Sequence, residues 1–216
     1  MKVYSVKECY VTLQGEGAQS GRAAVFLRFA GCNLWSGLER DRASAICNFC
    51  DTDFVGTDGE NGGKFAGADA LGEHVRAVWD EAAPEGGQPY VICTGGEPLL
   101  QLDSAAIAAL KRNGLEIGIE TNGTLQAPEG LDWICVSPKA NASLEQVSGN
   151  ELKLVFPQDA PEAQPERFER LQFEHFFLQP KDDRAHAENI AAAAAYCMKH
   201  PTWRLSLQTH KLIGLP

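Results

Sequence analysis

The chain has 216 residues, 44% hydrophobic and 22% charged, enough for one large domain or two small ones whose core needs no disulfide staples. Its 19 basic and 29 acidic residues give a net charge of −10, which excludes a general affinity for nucleic acid or anionic membranes but not one local basic pocket. The opening MKVYSVKECYVTLQGEG has no long apolar run, so neither a signal peptide nor a membrane span is expected and the chain reads as cytoplasmic, where seven cysteines imply no disulfides.

In chain order, runs rich in β-branched and aromatic residues predict strands over 24–30, 90–94, 116–121, 132–137, 151–156, 175–179 and 203–209. Most are apolar throughout their middle, as buried parallel strands are. Helices are predicted over 68–82, 103–113, 161–172 and 183–199. Such alternation predicts an α/β fold with a parallel sheet. The glycine-rich stretch 56–67 reads as a loop, and no linker or repeat divides the chain. The connections after 121 and after 137 are too short for helical crossovers. The expectation is a single domain, 1–216, built as a partial (β/α) barrel of about six parallel strands with reduced helices. Its uncovered faces invite a second copy of the chain.

Polar groups follow the predicted strands at Thr94-Gly95-Gly96-Glu97-Pro98, Glu120-Thr121-Asn122-Gly123, Ser137-Pro138-Lys139, Gln179-Pro180 and Gln208-Thr209-His210. Each alone is ordinary turn punctuation. Together they predict one functional rim at the strand C-termini, where parallel barrels carry their chemistry.

Three cysteines, Cys32, Cys47 and Cys50, form a C-x14-C-x2-C array. Cys9, Cys93, Cys135 and Cys197 sit in apolar or alanine-rich surroundings and read as small core residues. A structural zinc site needs four protein ligands, and Asp51, Asp53, Cys9 and His74 lie at no usual spacing for the fourth. A [4Fe–4S] cluster held by three thiolates would leave one iron open to a small molecule. After VICT, the turn Gly95-Gly96-Glu97-Pro98 exposes backbone groups suited to an amino acid's ammonium and carboxylate.

This constellation resembles the radical S-adenosylmethionine enzymes, with Phe49 as the aromatic before the last cysteine. The long first spacing resembles a subgroup of the 7-carboxy-7-deazaguanine synthase family. The likeness runs through TLQGEG (12–17), FLRFAGCNLW (26–35), CDTDFVGTDGENGGKF (50–65), CTGGEP (93–98), IETNG (119–123), DWICVSPKA (132–140), GNELK (149–153) and SLQTHK (206–211). It implies a radical ring contraction of 6-carboxy-5,6,7,8-tetrahydropterin to 7-carboxy-7-deazaguanine with loss of ammonia, on the route to queuosine and other deazapurines. It implies a [4Fe–4S] cluster on Cys32, Cys47 and Cys50 within a cluster loop 32–50, regenerated S-adenosylmethionine, Mg2+, an electron donor such as flavodoxin, and a homodimer.

The resemblance assigns the cofactor to Phe49, Thr94, Gly95, Gly96, Glu97, Asn122, Ser137, Lys139 and Gln179. It assigns Mg2+ to Thr52, with Asp51 and Asp53 as alternatives on charge. For the substrate, Glu16 is expected to accept from the pterin's amide and amino donors, with Gln14 beside it. Thr94 and His210 add contacts. Arg28 interrupts an apolar strand, where an unpaired charge is costly to bury, and is expected to meet the substrate carboxylate. The tail KLIGLP is too apolar for a disordered end, so it is expected to fold over the site with Pro216 touching a ligand. A radical activase acting on a protein would share the cysteines and GGEP but not TLQGEG or QTH; a zinc-binding module is the other alternative.

Overall fold

The computed structural model describes residues 1–82 and 86–216, which group into two compact units. The first comprises Met1–Thr12, Ala23–Thr121 and Gln126–Ile134, and the second Leu13–Arg22, Asn122–Leu125 and Cys135–Pro216.

In the first unit the strand order is β3 (Gly63–Ala66), β1 (Val3–Leu13), β2 (Ala23–Phe29), β4 (Tyr90–Gly95), β5 (Glu116–Thr121). β1 and β3 are antiparallel; β4 is parallel to both β2 and β5. Helices α1 (Ala68–Ala82) and α2 (Ser104–Arg112) cover one face. Leu71, Val75, Val78 and Trp79 recur at helical spacing on α1 and are buried against Val25, Leu27 and Phe29 of β2 and Val91 and Cys93 of β4. Asp103 caps α2 by accepting from Ala106 N at 3.0 Å, and also takes the Tyr4 hydroxyl at 2.8 Å. Side chains alternate along a strand, so Ala24, Phe26 and Arg28 point away from that core.

β1 changes phase midway. Tyr4 and Val6 lie in the core, but so do Cys9 and Val11, which requires one extra residue between them, as in a β-bulge. The shift turns Glu8 and Tyr10 to the face that carries Arg28.

The second unit takes the last two residues of β6 (Trp133–Val136), then β7 (Ser148–Phe156), β8 (Gln172–Pro180) and β9 (Trp203–Leu205), every pairing parallel. Helix α3 (His186–Lys199) packs on β8 and β9, and α4 (Thr209–Ile213) closes the chain.

Six expected strands and the helices near 68–82, 103–113 and 183–199 are present within a few residues. The short connections after β5 and β6 carry no helix, as expected. The helix expected over 161–172 is absent: two 3-10 turns, Pro161–Ala163 and Pro165–Arg167, stand there. Pro165 lacks the N–H a continuous helix needs and disfavours helical backbone at Gln164. The strand expected over 203–209 ends at Leu205, and Thr209 already begins α4. β1 was not expected, because Lys7-Glu8 interrupts its apolar run. β3 lies inside the stretch read as a glycine-rich loop.

Candidate functional site

The cysteine loop follows β2 in the first unit. Ile46 and Cys47 N–H both donate to Leu34 O, at 3.1 and 3.4 Å, tying the late part of the loop to its start. Arg42 fastens the rest. Its guanidinium donates to Asn48 O at 3.1 Å and Cys50 O at 2.9 Å, and lies 4.2 Å from the Trp35 ring centre. Trp35 in turn meets buried Phe54 edge-on. The fourteen residues between Cys32 and Cys47 are therefore bonded to the Cys47–Cys50 arm.

Cys32 Sγ accepts Leu34 N–H at 3.4 Å. Burial raises this thiol; the Leu34 and Trp35 amides pull it down, and nearby Glu97 and Cys50 push it up. Amides aimed at a sulfur suit a thiolate in a cluster. By contrast, burial pushes the Cys9 thiol up to about 12 and that of Cys93 higher still, and both are fully buried with Cys135. These three are core residues, as expected; Cys197 is half-buried on α3. Three thiols on one loop, one already given amide donors, fit a [4Fe–4S] cluster with one iron left to an exchangeable ligand.

The turn after β4 is built against this loop. A Cβ on Gly95 would stand 2.3 Å from Phe29 O, and one on Gly96 2.3 Å from Gly31 O and 2.6 Å from Cys32 Cβ. Glycine is required by this close approach of backbones. Glu97 N–H donates to Gly31 O at 2.9 Å. Buried Glu97 Oε1 accepts from Leu99 N–H at 2.9 Å and from Thr121 Oγ1 at 2.8 Å, so its carboxylate holds the turn.

Arg28 and Thr94 are register partners across β2 and β4 and share the face away from the helices. The Arg28 charge is matched by Glu8 Oε1 at 2.7 Å from Nε and by Tyr10 Oη at 3.2 Å. Burial works against the guanidinium's charge, but Glu8 and Tyr10 outweigh it and raise its pKa. A guanidinium has five donors, and two fixed ones leave a held fork for an anion. Asp53 accepts from Lys7 at 3.0 Å and from Val55 N–H at 3.0 Å, while Asp51 is exposed and Thr52 half-buried.

In the second unit the TLQGEG loop carries a dense polar cluster. The Glu16 side chain is 16% exposed and that of Lys153 6%. Lys153 Nζ donates to Glu16 Oε2 at 2.5 Å, and Gln179 Nε2 and Gln208 Nε2 donate to Oε1 at 3.0 and 2.9 Å. Burial alone would raise the Glu16 carboxyl. Lys153, Gln208 and the nearby His210 outweigh it and hold the group at about 2. The loop is fixed by the C-terminal segment. Gly17 N–H donates to Ser206 Oγ at 2.8 Å, and Thr209 N–H and Oγ1 donate to Gly15 O at 2.9 and 3.0 Å. A Cβ on Gly15 would overlap the His210 ring, so the imidazole lies against this backbone. Ala18 N–H donates to buried Glu151 at 2.8 Å.

Of the other expected residues, Lys139 Nζ donates to Ser137 O and Oγ at 2.6 and 2.7 Å, pairing the two. Buried Asn122 accepts from Thr124 N–H and Oγ1, and Gln14 is buried beside Glu16. Phe49 is half-buried, and Pro216 ends an exposed tail in which Leu215 N–H donates to His210 O at 2.9 Å. Gln179, expected with the cofactor, has its amide on Glu16. The cluster loop, Gly95-Gly96-Glu97 and the pair Arg28 and Thr94 come together in one unit, and Glu16, Gln179 and His210 in the other.

The sequence reading passed over Lys153, Glu8 and Tyr10. Lys153 had a signal: like Arg28, it interrupts an apolar strand, ELKLVF. Glu8 and Tyr10 had none, because their facing depends on the phase change in β1.

No family model matches the chain. It is 63% identical over 213 residues to the 7-carboxy-7-deazaguanine synthase of Caulobacter vibrioides, and 61% identical over 213 residues to that of Bordetella pertussis, with 99% of both chains covered in each case. The crystal structure of QueE from Escherichia coli matches with a TM-score of 0.68 at 25% identity, covering 95% of this chain and 93% of that one. The match supports the α/β class with an open, mostly parallel sheet, the partial barrel expected from the short connections. With relatives this similar over its whole length, the chain belongs to the 7-carboxy-7-deazaguanine synthase family.

Proposed function

We propose that the chain contracts 6-carboxy-5,6,7,8-tetrahydropterin to 7-carboxy-7-deazaguanine with loss of ammonia, as a radical S-adenosylmethionine lyase of queuosine and deazapurine biosynthesis. The observation that carries this is the likeness to relatives of that name over 99% of the chain, with the three-cysteine loop that the chemistry needs. Cys32, Cys47 and Cys50 would hold the [4Fe–4S] cluster, and the exposed edge of the Gly95–Gly96 turn S-adenosylmethionine. Bound there, the two supply a carbon radical able to take hydrogen from the substrate.

The chain's own residues bind and orient. Glu97 fixes the Gly95–Gly96 turn beside Cys32, and that support favours a cofactor role for the turn. Thr94, Asn122, Ser137, Lys139 and Phe49 complete the cofactor contacts in this reading. Arg28, matched by Glu8 yet with donors to spare, takes the substrate carboxylate. Gln14 and His210 take the pterin, with the Glu16 cluster beside them. Thr52 is the candidate Mg2+ ligand, consistent with Asp53 being engaged by Lys7. The tail through Pro216 covers the bound substrate, a role in keeping with its exposed Leu212, Ile213 and Leu215. A reductant of the flavodoxin type supplies electrons, and residues 1–216 act as one domain in a cytoplasmic homodimer.

The test is anaerobic incubation of the reconstituted protein with reductant, Mg2+, carboxytetrahydropterin and S-adenosylmethionine well below the substrate concentration. Ammonia should exceed the S-adenosylmethionine supplied, because the cofactor is regenerated. No ammonia, or S-adenosylmethionine consumed one for one, contradicts the reading.

A further inference from the structure

Resting on that reading, we propose that the side-chain carbonyls of Gln179 and Gln208 read the amino-pyrimidinone edge of the pterin, and that Glu16 aims them. The expectation from sequence was that Glu16 itself accepts both pterin donors. Its bonding leaves too little room. A carboxylate oxygen has two lone pairs, and Glu16 Oε1 already accepts from Gln179 Nε2 at 3.0 Å and Gln208 Nε2 at 2.9 Å. Oε2 accepts from Lys153 Nζ at 2.5 Å, which leaves that oxygen one further bond.

The two glutamines supply what Glu16 lacks. A carboxylate only accepts, so each amide must turn its nitrogen toward Glu16; the flipped amide would set oxygen against oxygen. The chemistry of the contact thus fixes both amides. Their other ends, Gln179 Oε1 and Gln208 Oε1, are buried and have no donor among the described residues. Buried side-chain carbonyls almost always have a partner, and exceptions call for an explanation. Two such oxygens, on amides anchored to one carboxylate, are placed to accept N–H groups.

Charge says which kind. Lys153 already balances Glu16, so the carboxylate that anchors the two amides does not call for a further cation. A neutral edge with more than one N–H donor fits better than an ammonium. The exocyclic amine and ring amide of a pterin are such an edge; the methionyl group of S-adenosylmethionine is an ammonium, and its adenine sets ring acceptors, not a second donor, beside its amine. Gln179 and Gln208 are therefore specificity-determining residues for the substrate, and Glu16 with Lys153 positions them.

The test uses two stable ligands, 6-carboxypterin and 6-carboxylumazine, which carries a carbonyl where the pterin has its amino group. Dissociation constants are measured by ligand fluorescence on the anaerobic cluster-loaded protein with S-adenosylmethionine. The wild type should prefer the pterin by roughly 100-fold or more, because the lumazine sets a carbonyl against a carbonyl. Gln208→Met and Gln179→Met should each cut that preference roughly tenfold, weakening the pterin while leaving the lumazine unchanged or tighter. Equal weakening of both ligands, or an unchanged preference, overturns the proposal. If neither variant folds, the wild type still decides: comparable affinity for the two ligands refutes the proposal. Where that protein nevertheless turns over carboxytetrahydropterin, the proposal alone fails; where it neither binds nor converts the pterin, the functional reading fails with it.

Discussion

Replacing Lys153 with Met removes the ammonium bonded to Glu16 while keeping most of the volume of the side chain. The carboxylate stays almost buried, with Gln179 and Gln208 as its remaining bonded donors. Breaking one side of a buried ion pair costs about 3–5 kcal/mol, set against a total stability of about 5–15 kcal/mol. The two amides and a nearby His210 offset part of this, so about 3 kcal/mol is expected at pH 7. The pH dependence gives the sign. In the wild type the Glu16 carboxyl lies at about 2, below its unfolded value, so its stabilisation is present above that unfolded value and is lost as pH falls toward 2. In the variant, burial is opposed only by Gln208 and His210, so the carboxyl moves up from its wild-type position. The deficit should therefore be large at pH 7 and shrink at pH 4, where the variant's Glu16 can protonate. Denaturant midpoints of wild type and Lys153→Met at both pH values provide the assay. Adding Glu16→Gln to the variant should recover much of the loss. A deficit below about 1 kcal/mol at pH 7, or one equal at both pH values, refutes this account of the pair.

Arg28→Ala should bind S-adenosylmethionine normally and carboxytetrahydropterin weakly, by about 2–5 kcal/mol, as calorimetry with each ligand would reveal; equal weakening of both contradicts the division of roles. Gly96→Ala should displace Gly31 and Cys32, lowering iron content on reconstitution and abolishing S-adenosylmethionine binding; a variant that loads iron and binds the cofactor like the wild type would show the close packing to be dispensable. Arg42→Ala removes the bonds to Asn48 O and Cys50 O and the stacking on Trp35, so the cluster absorbance should bleach several-fold faster under a chelator than in the wild type. Equal bleaching rates would mean the long loop does not depend on this staple.

The parts of the fold legible in the sequence were those where one residue's chemistry dominates. The apolar strands over 90–94 and 116–121 and the helical spacing of Leu71, Val75, Val78 and Trp79 could be read directly. Arg28 was visible because a charge inside an apolar strand demands a partner. Lys153 offered the same signal inside β7 and was passed over. The helix expected over 161–172 failed because Pro165 overrides local composition. β1 was hidden by Lys7 and Glu8, whose place in a strand depends on the phase change and on neighbouring chain. The site divides in the same way. The cysteines and the Gly95–Gly96 turn are short contiguous motifs. The Glu16 cluster gathers residues 16, 153, 179 and 208, and no spacing announces that these four side chains meet.

The central claim is that Cys32, Cys47 and Cys50 arm a pterin ring contraction. The most direct measurement is the mass of the product formed anaerobically from carboxytetrahydropterin, with Cys32→Ala, Cys47→Ala, Cys50→Ala and Cys93→Ala run beside the wild type. The account predicts 7-carboxy-7-deazaguanine from the wild type and from Cys93→Ala, whose thiol is buried in the core, and none from the other three, which should also lack the brown colour of the cluster. Product from Cys32→Ala, or loss of the cluster in Cys93→Ala with Cys32→Ala intact, would contradict it.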